Sequence, residues 1–433
     1  MSDRVPLKSR LRTMARSPLA SRTAMATGFQ LLRLSLQVAL LVLLARALAP
    51  EHYGIFVGTA GLASAAAGLS GLGTGMLMVK QVSMRRGLWN ATWAHALTMF
   101  VSTGAALSVI FVASAPTLLH VTMPVSALAC IALSELICVP VLYLGSFAFQ
   151  AFDRIAWSAA LPCIMGASRL LGVVAFLLCD VTRTLPEYLA YHAIASVTAT
   201  ACSLALVKVM LHPAKPSSGV PKGTTSEALR FCAGWFTNNA LVEMDKSLAV
   251  RFGSPATAAA YALAYRLASA LSTPTTSLVL SAQPRLFAAE KANRRRLATT
   301  IVLTAAACSI AACVAMLVLA PLLPWIFGSA YREASHFAVL LALLPLAFGI
   351  RFVLGSFLVA EGHPGMRALL EALGAVVMIV MAAVLIPRYG AGGMAGMVMA
   401  AEGTVVVAAT IALATLRRRR INSIDRDLSV FPE

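Results

Sequence analysis

Ten ionisable side chains interrupt stretches that are otherwise apolar: Arg33, Arg169, Lys246, Arg266 and Arg351 on one side of the charge balance, Glu135, Glu243, Asp245, Glu371 and Glu402 on the other. A charge at the centre of a helix in hydrocarbon costs on the order of 3 kcal/mol on insertion scales, so each of these groups needs a partner or a task. A guanidinium stays charged when desolvated and grips oxyanions through two parallel N–H donors. A carboxylate in the same surroundings takes up a proton or a sodium ion unless a fixed cation pairs with it. The spacing narrows the choices. Gln30, Arg33 and Gln37 recur at three- and four-residue steps, which put them on one face of a helix. Asn239, Glu243 and Lys246 do the same, with Asn238 and Asp245 on the adjacent stripe. Glu243 and Lys246 are placed to neutralise each other along their helix, whereas Arg266 has no carboxylate among its helical neighbours. A structural contact to Glu402 or Asp245 is the other reading of Arg266.

The elements that must carry these groups are membrane helices. Of 433 residues, 59% are hydrophobic and only 12% charged, about half the charge of an ordinary soluble protein. A mean hydropathy of +0.82 agrees. About 20 apolar residues cross the hydrocarbon core, and runs of that kind predict twelve spans: 26–48, 54–79, 92–114, 124–149, 156–179, 188–211, 229–251, 256–284, 297–320, 335–360, 366–386 and 391–416. An even count leaves both termini on one side. With the termini in the cytoplasm, 25 of the 35 Lys and Arg fall on the inner side, and five, Arg46, Arg183, Arg251, Arg332 and Arg388, on the outer. That asymmetry orients the chain. The formal charge of +18 is therefore topogenic, and nucleic-acid binding is not expected. Ala45-Arg46-Ala47 loosely mimics a signal cleavage site, but the apolar run before it is too long, so it is read as the end of the first span.

Depth in these spans pairs some of the charges. Glu135 and Arg169 lie near mid-depth on spans four and five, and Arg351 and Glu371 near the inner side on spans ten and eleven. Each couple is expected to form a structural pair across one helix interface. His95, His192 and His336 are read as packing histidines. The eight cysteines contain no C-x-x-C pair and are read as small packing residues; no metal or cofactor site is expected.

Residues 212–226 carry three prolines, two glycines and several hydroxyls, and divide the spans six and six. The halves echo each other at an offset of about 205 residues: Pro50, Gly54 and Phe56 match Pro255, Ala259 and Tyr261, Pro116 matches Pro321, and Pro186-Glu187-Tyr188 is echoed by Pro387-Arg388-Tyr389. Six helices between copies give both halves the same orientation, a parallel repeat about an axis along the membrane normal. The expected organisation is a basic cytoplasmic segment (1–25), a six-helix bundle (26–211), a cytoplasmic linker (212–226), a second six-helix bundle (227–416) and a basic cytoplasmic tail (417–433).

Leu44-Ala45-Arg46-Ala47-Leu48-Ala49-Pro50-Glu51-His52-Tyr53-Gly54-Ile55-Phe56, followed by Gly71-Leu72-Gly73-Thr74-Gly75, resembles the opening of polysaccharide transporters of the Wzx type. Asp245 to Gly253 leading into Tyr261, Pro324 to Tyr331, and Ile386 to Gly393 also resemble this family. It consists of oligosaccharide flippases, within the superfamily that holds multidrug and toxin extrusion antiporters and lipid II flippases. The resemblance covers nearly the whole chain, on motifs that are turns at helix ends. Lipid II flippases usually carry two further helices. The resemblance implies an all-α, twelve-helix protein of the bacterial inner membrane that turns an undecaprenyl-diphosphate-linked oligosaccharide to the outer leaflet by alternating access. It also implies a partnership with the bilayer and with glycan polymerase or export machinery. Helices one, two, seven and eight line the cavity in that superfamily. On that basis Arg33, Arg266, Lys246, Gln30 and Gln37 are expected to contact the diphosphate and cavity contents, and Asp245 and Glu243 to take any coupling H+ or Na+.

No reactive motif accompanies these features. Lys222-Gly223-Thr224 merely reverses the end of a phosphate loop, and the glycines from Gly68 to Gly75 lie in an apolar span with no strand before them, which suits helix packing and a bend. The outer loops are short, which argues against a membrane glycosyltransferase or polymerase, and the chain is not read as an enzyme. Two alternatives stay open: a multidrug antiporter on the same fold, and a non-transporting membrane partner of glycan-assembly enzymes.

Overall fold

The computed structural model describes residues 18–179, 183–215, 224–288 and 291–429. The expectations placed on the leader through Ser17, on linker residues 216–223 and on the last four residues lie outside the described residues. A helix falls on every predicted span. They are α1 (Pro18–Ala47), α2 (Pro50–Met84), α3 (Arg86–Leu119), α4 (Val125–Ala151), α5 (Ile155–Cys179) and α6 (Leu185–Leu211). There follow α7 (Thr224–Phe252), α8 (Pro255–Leu271, continued as Thr273–Ala288), α9 (Lys291–Leu319), α10 (Leu344–Ala360, preceded by Glu333–Leu340), α11 (Pro364–Tyr389) and α12 (Ala391–Ser429). No strand occurs among the described residues. The protein is all-α and multi-pass.

Nine of the described helices are long and apolar enough to cross a membrane, and a tenth joins them if Ser329–Leu340 and Leu344–Ala360, bent by 50° to each other, count as one span. The expected twelve is thus reduced at α7 and α8. Helix α7 carries Glu227, Arg230, Glu243, Asp245, Lys246 and Arg251, and α8 is broken after Leu271. Charge lowers the hydropathy of α7, which holds one of the two polar stripes, whereas α8 falls short in length because it is divided into pieces of 17 and 16 residues.

The helix starts show how the repeat is written. α2 opens on Pro50 and α8 on Pro255, each in the first turn, where the missing N–H has no partner to lose. Ser254 caps α8 by accepting from the Thr257 amide at 3.2 Å. α6 opens on a capping box, with the Thr184 amide donating to Glu187 at 2.9 Å. The Pro186/Pro387 echo does not survive: Pro186 lies in the first turn of α6, whereas Pro387 lies inside the last turn of α11. Two similar tripeptides therefore mark opposite helix ends.

The chain forms two compact units. The first comprises residues through Ala47, Leu69–Ser114 and Thr122–Cys232; the second comprises Leu48–Gly68, Ala115–Val121 and the chain from Ala233 onward. Helices α2, α3 and α7 thus contribute to both. In the first unit, Trp89, Trp93, Phe100, Leu142, Phe149, Leu161 and Val207 build the core. In the second, the early turns of α2 pack closely on α7 and the start of α8, and a Cβ at Gly54 would lie 1.8 Å from the Pro255 carbonyl oxygen. Helix α2 is interrupted between these duties. Ser70 has ψ 129°, and Gly71, Leu72 and Gly73 have φ of 74°, 46° and 79°. A Cβ at Gly71 would fall 2.1 Å from the Phe100 ring, and one at Gly73 2.1 Å from the Ala228 carbonyl oxygen. Two hydrogen bonds tie the break into the first unit. Ser70 Oγ donates to the Leu136 carbonyl at 3.0 Å, and the Gly71 amide donates to Thr103 Oγ1 at 2.8 Å.

Candidate functional site

The charged residues singled out in the sequence are divided between the two units. In the first, Arg33 is half-buried on α1 and its Nη2 donates to the Tyr143 hydroxyl of α4 at 3.0 Å. Gln30 and Gln37 share its face and are exposed. The tyrosine aims the guanidinium with one of five N–H donors and so restricts its rotamers without neutralising its charge.

Deeper in the same unit, Arg169 Nη2 donates to Glu135 Oε1 at 2.7 Å. The couple belongs to a larger network. His192 Nε2 lies 3.1 Å from the same carboxylate oxygen, the Tyr188 hydroxyl lies 3.2 Å from His192 Nδ1, and Arg169 Nε donates to Ser196 Oγ at 3.1 Å. Glu135 sits in a π-helical turn, Leu133–Cys138. That turn frees carbonyls from the regular ladder, and Thr200 Oγ1 satisfies the one at Cys138 at 3.0 Å. His192 is thus a hydrogen-bonded member of the ion network rather than simple packing.

In the second unit, Lys246 and Asp245 are almost wholly enclosed, at 3% and 0% exposure. Lys246 Nζ donates to the Val242 carbonyl at 2.8 Å, and lies 2.9 Å from Asp245 Oδ1 and 3.1 Å from Glu243 Oε2. Two of these contacts are hydrogen bonds and the third is an ion pair, so Lys246 is committed to protein oxygens in this conformation. Asp245 is similarly committed: its other oxygen accepts from the Tyr261 hydroxyl at 2.7 Å. Glu243, with its side chain 33% exposed, is the more accessible carboxylate. Arg266 is exposed on α8, one residue after Tyr265. Asp245 is held by Lys246 and Tyr261, and Glu402 by Arg351.

Arg351 takes a different partner from the expected one. Its Nε lies 2.8 Å from Glu402 Oε2 of α12, while Glu371 accepts from Arg367 Nε at 2.9 Å, one turn earlier on α11. The reason is local: Arg367 enters α11 four residues before Glu371, and a same-helix partner at that step forms without any docking of helices. Arg351 also faces the rings of Phe348 and Phe352, at 5.5 and 5.2 Å from their centroids.

The residues that sequence reasoning missed are mostly tyrosines: Tyr143 beside Arg33, Tyr188 beside His192, Tyr261 and Tyr265 around Asp245 and Lys246. A buried tyrosine hydroxyl needs a partner, and a tyrosine inside an apolar span one or two turns from a charge is the signal that would have found them.

Comparison with known proteins places the fold and the family. The chain resembles an inward-facing multidrug resistance MATE family transporter of the MOP superfamily, with a TM-score of 0.67 at 14% identity over 91% of this chain and 95% of the other. It resembles the lipid II flippase MurJ in an inward closed conformation, with a TM-score of 0.67 at 12% identity over 90% and 87%. A third structure, a MOP superfamily transporter from Pyrococcus furiosus described as having a binding pocket of reversed polarity, gives 0.64 at 11% identity over 93% and 94%. Identities this low establish the fold. No curated protein matches the sequence significantly. The family model described as polysaccharide biosynthesis protein matches residues 19–290, more than half of the sequence, and the chain belongs to that family.

Proposed function

We propose that this protein is a flippase that carries an undecaprenyl-diphosphate-linked oligosaccharide, a repeat unit of O-antigen, capsule or exopolysaccharide, from the cytoplasmic to the outer leaflet of the bacterial inner membrane by alternating access. Family and fold are those of membrane transporters and flippases. The observation that carries the finer reading is Arg33, an intramembrane guanidinium held by a neutral tyrosine rather than by a carboxylate. A guanidinium aimed in that way keeps its full charge for an anionic ligand. Arg33 and Arg266 are each assigned to the diphosphate, with Gln30 and Gln37 extending the polar face of α1. The lipid tail stays in the bilayer while the glycan crosses in a polar environment. Both termini are assigned to the cytoplasm.

The test is export of the lipid-linked glycan, normalised to folded protein, by arginine variants. Arg266→Lys keeps the charge and loses the planar fork, so export falls in part; Arg266→Ala abolishes it while folded protein persists, and Arg33 behaves alike. Normalised export by Arg266→Ala equal to wild type would remove that residue from the substrate site, and the same result for the double alanine variant would refute the reading. A multidrug antiporter is the second reading, favoured by the likeness to MATE transporters. It predicts that expression protects cells from cationic drugs, which a diphosphate carrier does not do.

A further inference from the structure

Within the second unit the ammonium of Lys246 has the surroundings of a bound inorganic cation. Three oxygens converge on Nζ: the Val242 carbonyl at 2.8 Å, Asp245 Oδ1 at 2.9 Å and Glu243 Oε2 at 3.1 Å. The Tyr265 ring closes a fourth side, its centroid 4.3 Å from Nζ. The shell is itself held in place. The Tyr261 hydroxyl donates to Asp245 Oδ2 at 2.7 Å, and the Tyr265 hydroxyl donates to the same Val242 carbonyl at 3.2 Å. Asp245 and Tyr261 are 0% exposed, and Lys246 and Tyr265 3%. Hard monovalent and divalent cations are bound by carboxylate and backbone carbonyl oxygens, and an aromatic face adds electrostatic attraction for any cation. Of the two carboxylates that face the ammonium, Asp245 is fully enclosed and has Oδ1 on it, whereas the Glu243 side chain is partly exposed.

We propose that Lys246 is a resident cation: its ammonium fills a preformed oxygen-lined site that would otherwise bind a small monovalent cation such as sodium, and the protein therefore needs no mobile cation at Asp245. A buried carboxylate must be compensated. A dissolved ion does this only at concentrations near its dissociation constant, whereas a side chain on the next residue does it permanently. Sodium entry and exit at this site then cannot drive the transport cycle. The inference rests on the geometry of α7 and α8 and not on the identity of the transported molecule.

The experiment compares thermal unfolding midpoints of purified full-length protein in detergent, at fixed ionic strength, as sodium chloride replaces choline chloride. Choline is too large for the site. Wild type is expected to show no sodium dependence. Lys246→Met keeps an apolar stem one atom short of the ammonium; it is expected to unfold at a lower temperature in choline, and sodium should restore more than half of the lost midpoint along a saturable curve. Adding Asp245→Asn to Lys246→Met should abolish that response. A saturable sodium response in wild type that Asp245→Asn removes would overturn the proposal. So would a folded Lys246→Met protein whose midpoint ignores sodium, or a Lys246→Met protein that fails to fold in either salt. None of these results bears on glycan export by the arginine variants, so this inference and the proposed function fail separately.

Discussion

Removing Arg169 should expose how the buried network of the first unit is held. Its guanidinium, with a side chain 15% exposed, is the sole fixed positive charge among the described residues hydrogen-bonded to Glu135, whose own side chain is 9% exposed. Breaking a buried pair by deleting one partner costs about 3–5 kcal/mol, because the remaining charge stays desolvated. The lower end, about 3 kcal/mol, applies to Arg169→Ala, since His192 Nε2 remains 3.1 Å from the same carboxylate oxygen. Glu135→Gln alone should cost less, because Arg169 keeps Ser196 as a partner and is the more exposed of the two side chains. Combining the two removes both charges and leaves an amide that His192 still meets, so the double variant should recover to within about 1 kcal/mol of wild type. The four proteins are compared by equilibrium unfolding in mixed micelles titrated with sodium dodecyl sulfate. Additive losses, with the double variant the least stable of the four, would refute the ion-pair reasoning. A double variant as stable as wild type but unable to export glycan would show instead that these side chains contact the substrate.

Two further outcomes are expected. Single cysteines replacing Ser2, Ser218 and Ser429 should resist an impermeant thiol reagent in intact cells while one replacing Ser329 reacts; labelling at Ser218 from outside would break the assigned orientation. Leu72, at φ 46° in the break of α2, should be stabilised by about 1 kcal/mol on replacement by glycine, whereas Gly73→Ala should destabilise, since its φ is 79° and a Cβ would lie 2.1 Å from the Ala228 carbonyl oxygen. Unfolding midpoints read both, and a loss of stability in Leu72→Gly would show that the leucine's packing outweighs its backbone strain.

The sequence by itself determined the class of protein and the place of its helices. Hydropathy acts over about 20 residues of contiguous chain, so the helices fall where the apolar runs predict, and Pro50 and Pro255 mark equivalent helix starts without reference to any contact. The Glu135 and Arg169 couple was legible because only two charges of opposite sign stood at the same depth on consecutive helices. Partner choice among several nearby charges was not. Arg351 pairs with Glu402 and Glu371 with Arg367, although depth alone offered Arg351 and Glu371 to each other. The roles of Lys246 and Asp245 were likewise undetermined, since their spacing suits a substrate-facing stripe as well as a closed cluster. What closed it was Tyr261 and Tyr265, 15 and 19 residues downstream of Lys246, brought against α7 when α8 packs on it. Periodicity specifies which residues share a helix face; only the packing of one helix on another decides whether that face is sealed by a neighbour's side chains, and a difference of a few ångströms in that packing turns a binding group into a buried counter-charge.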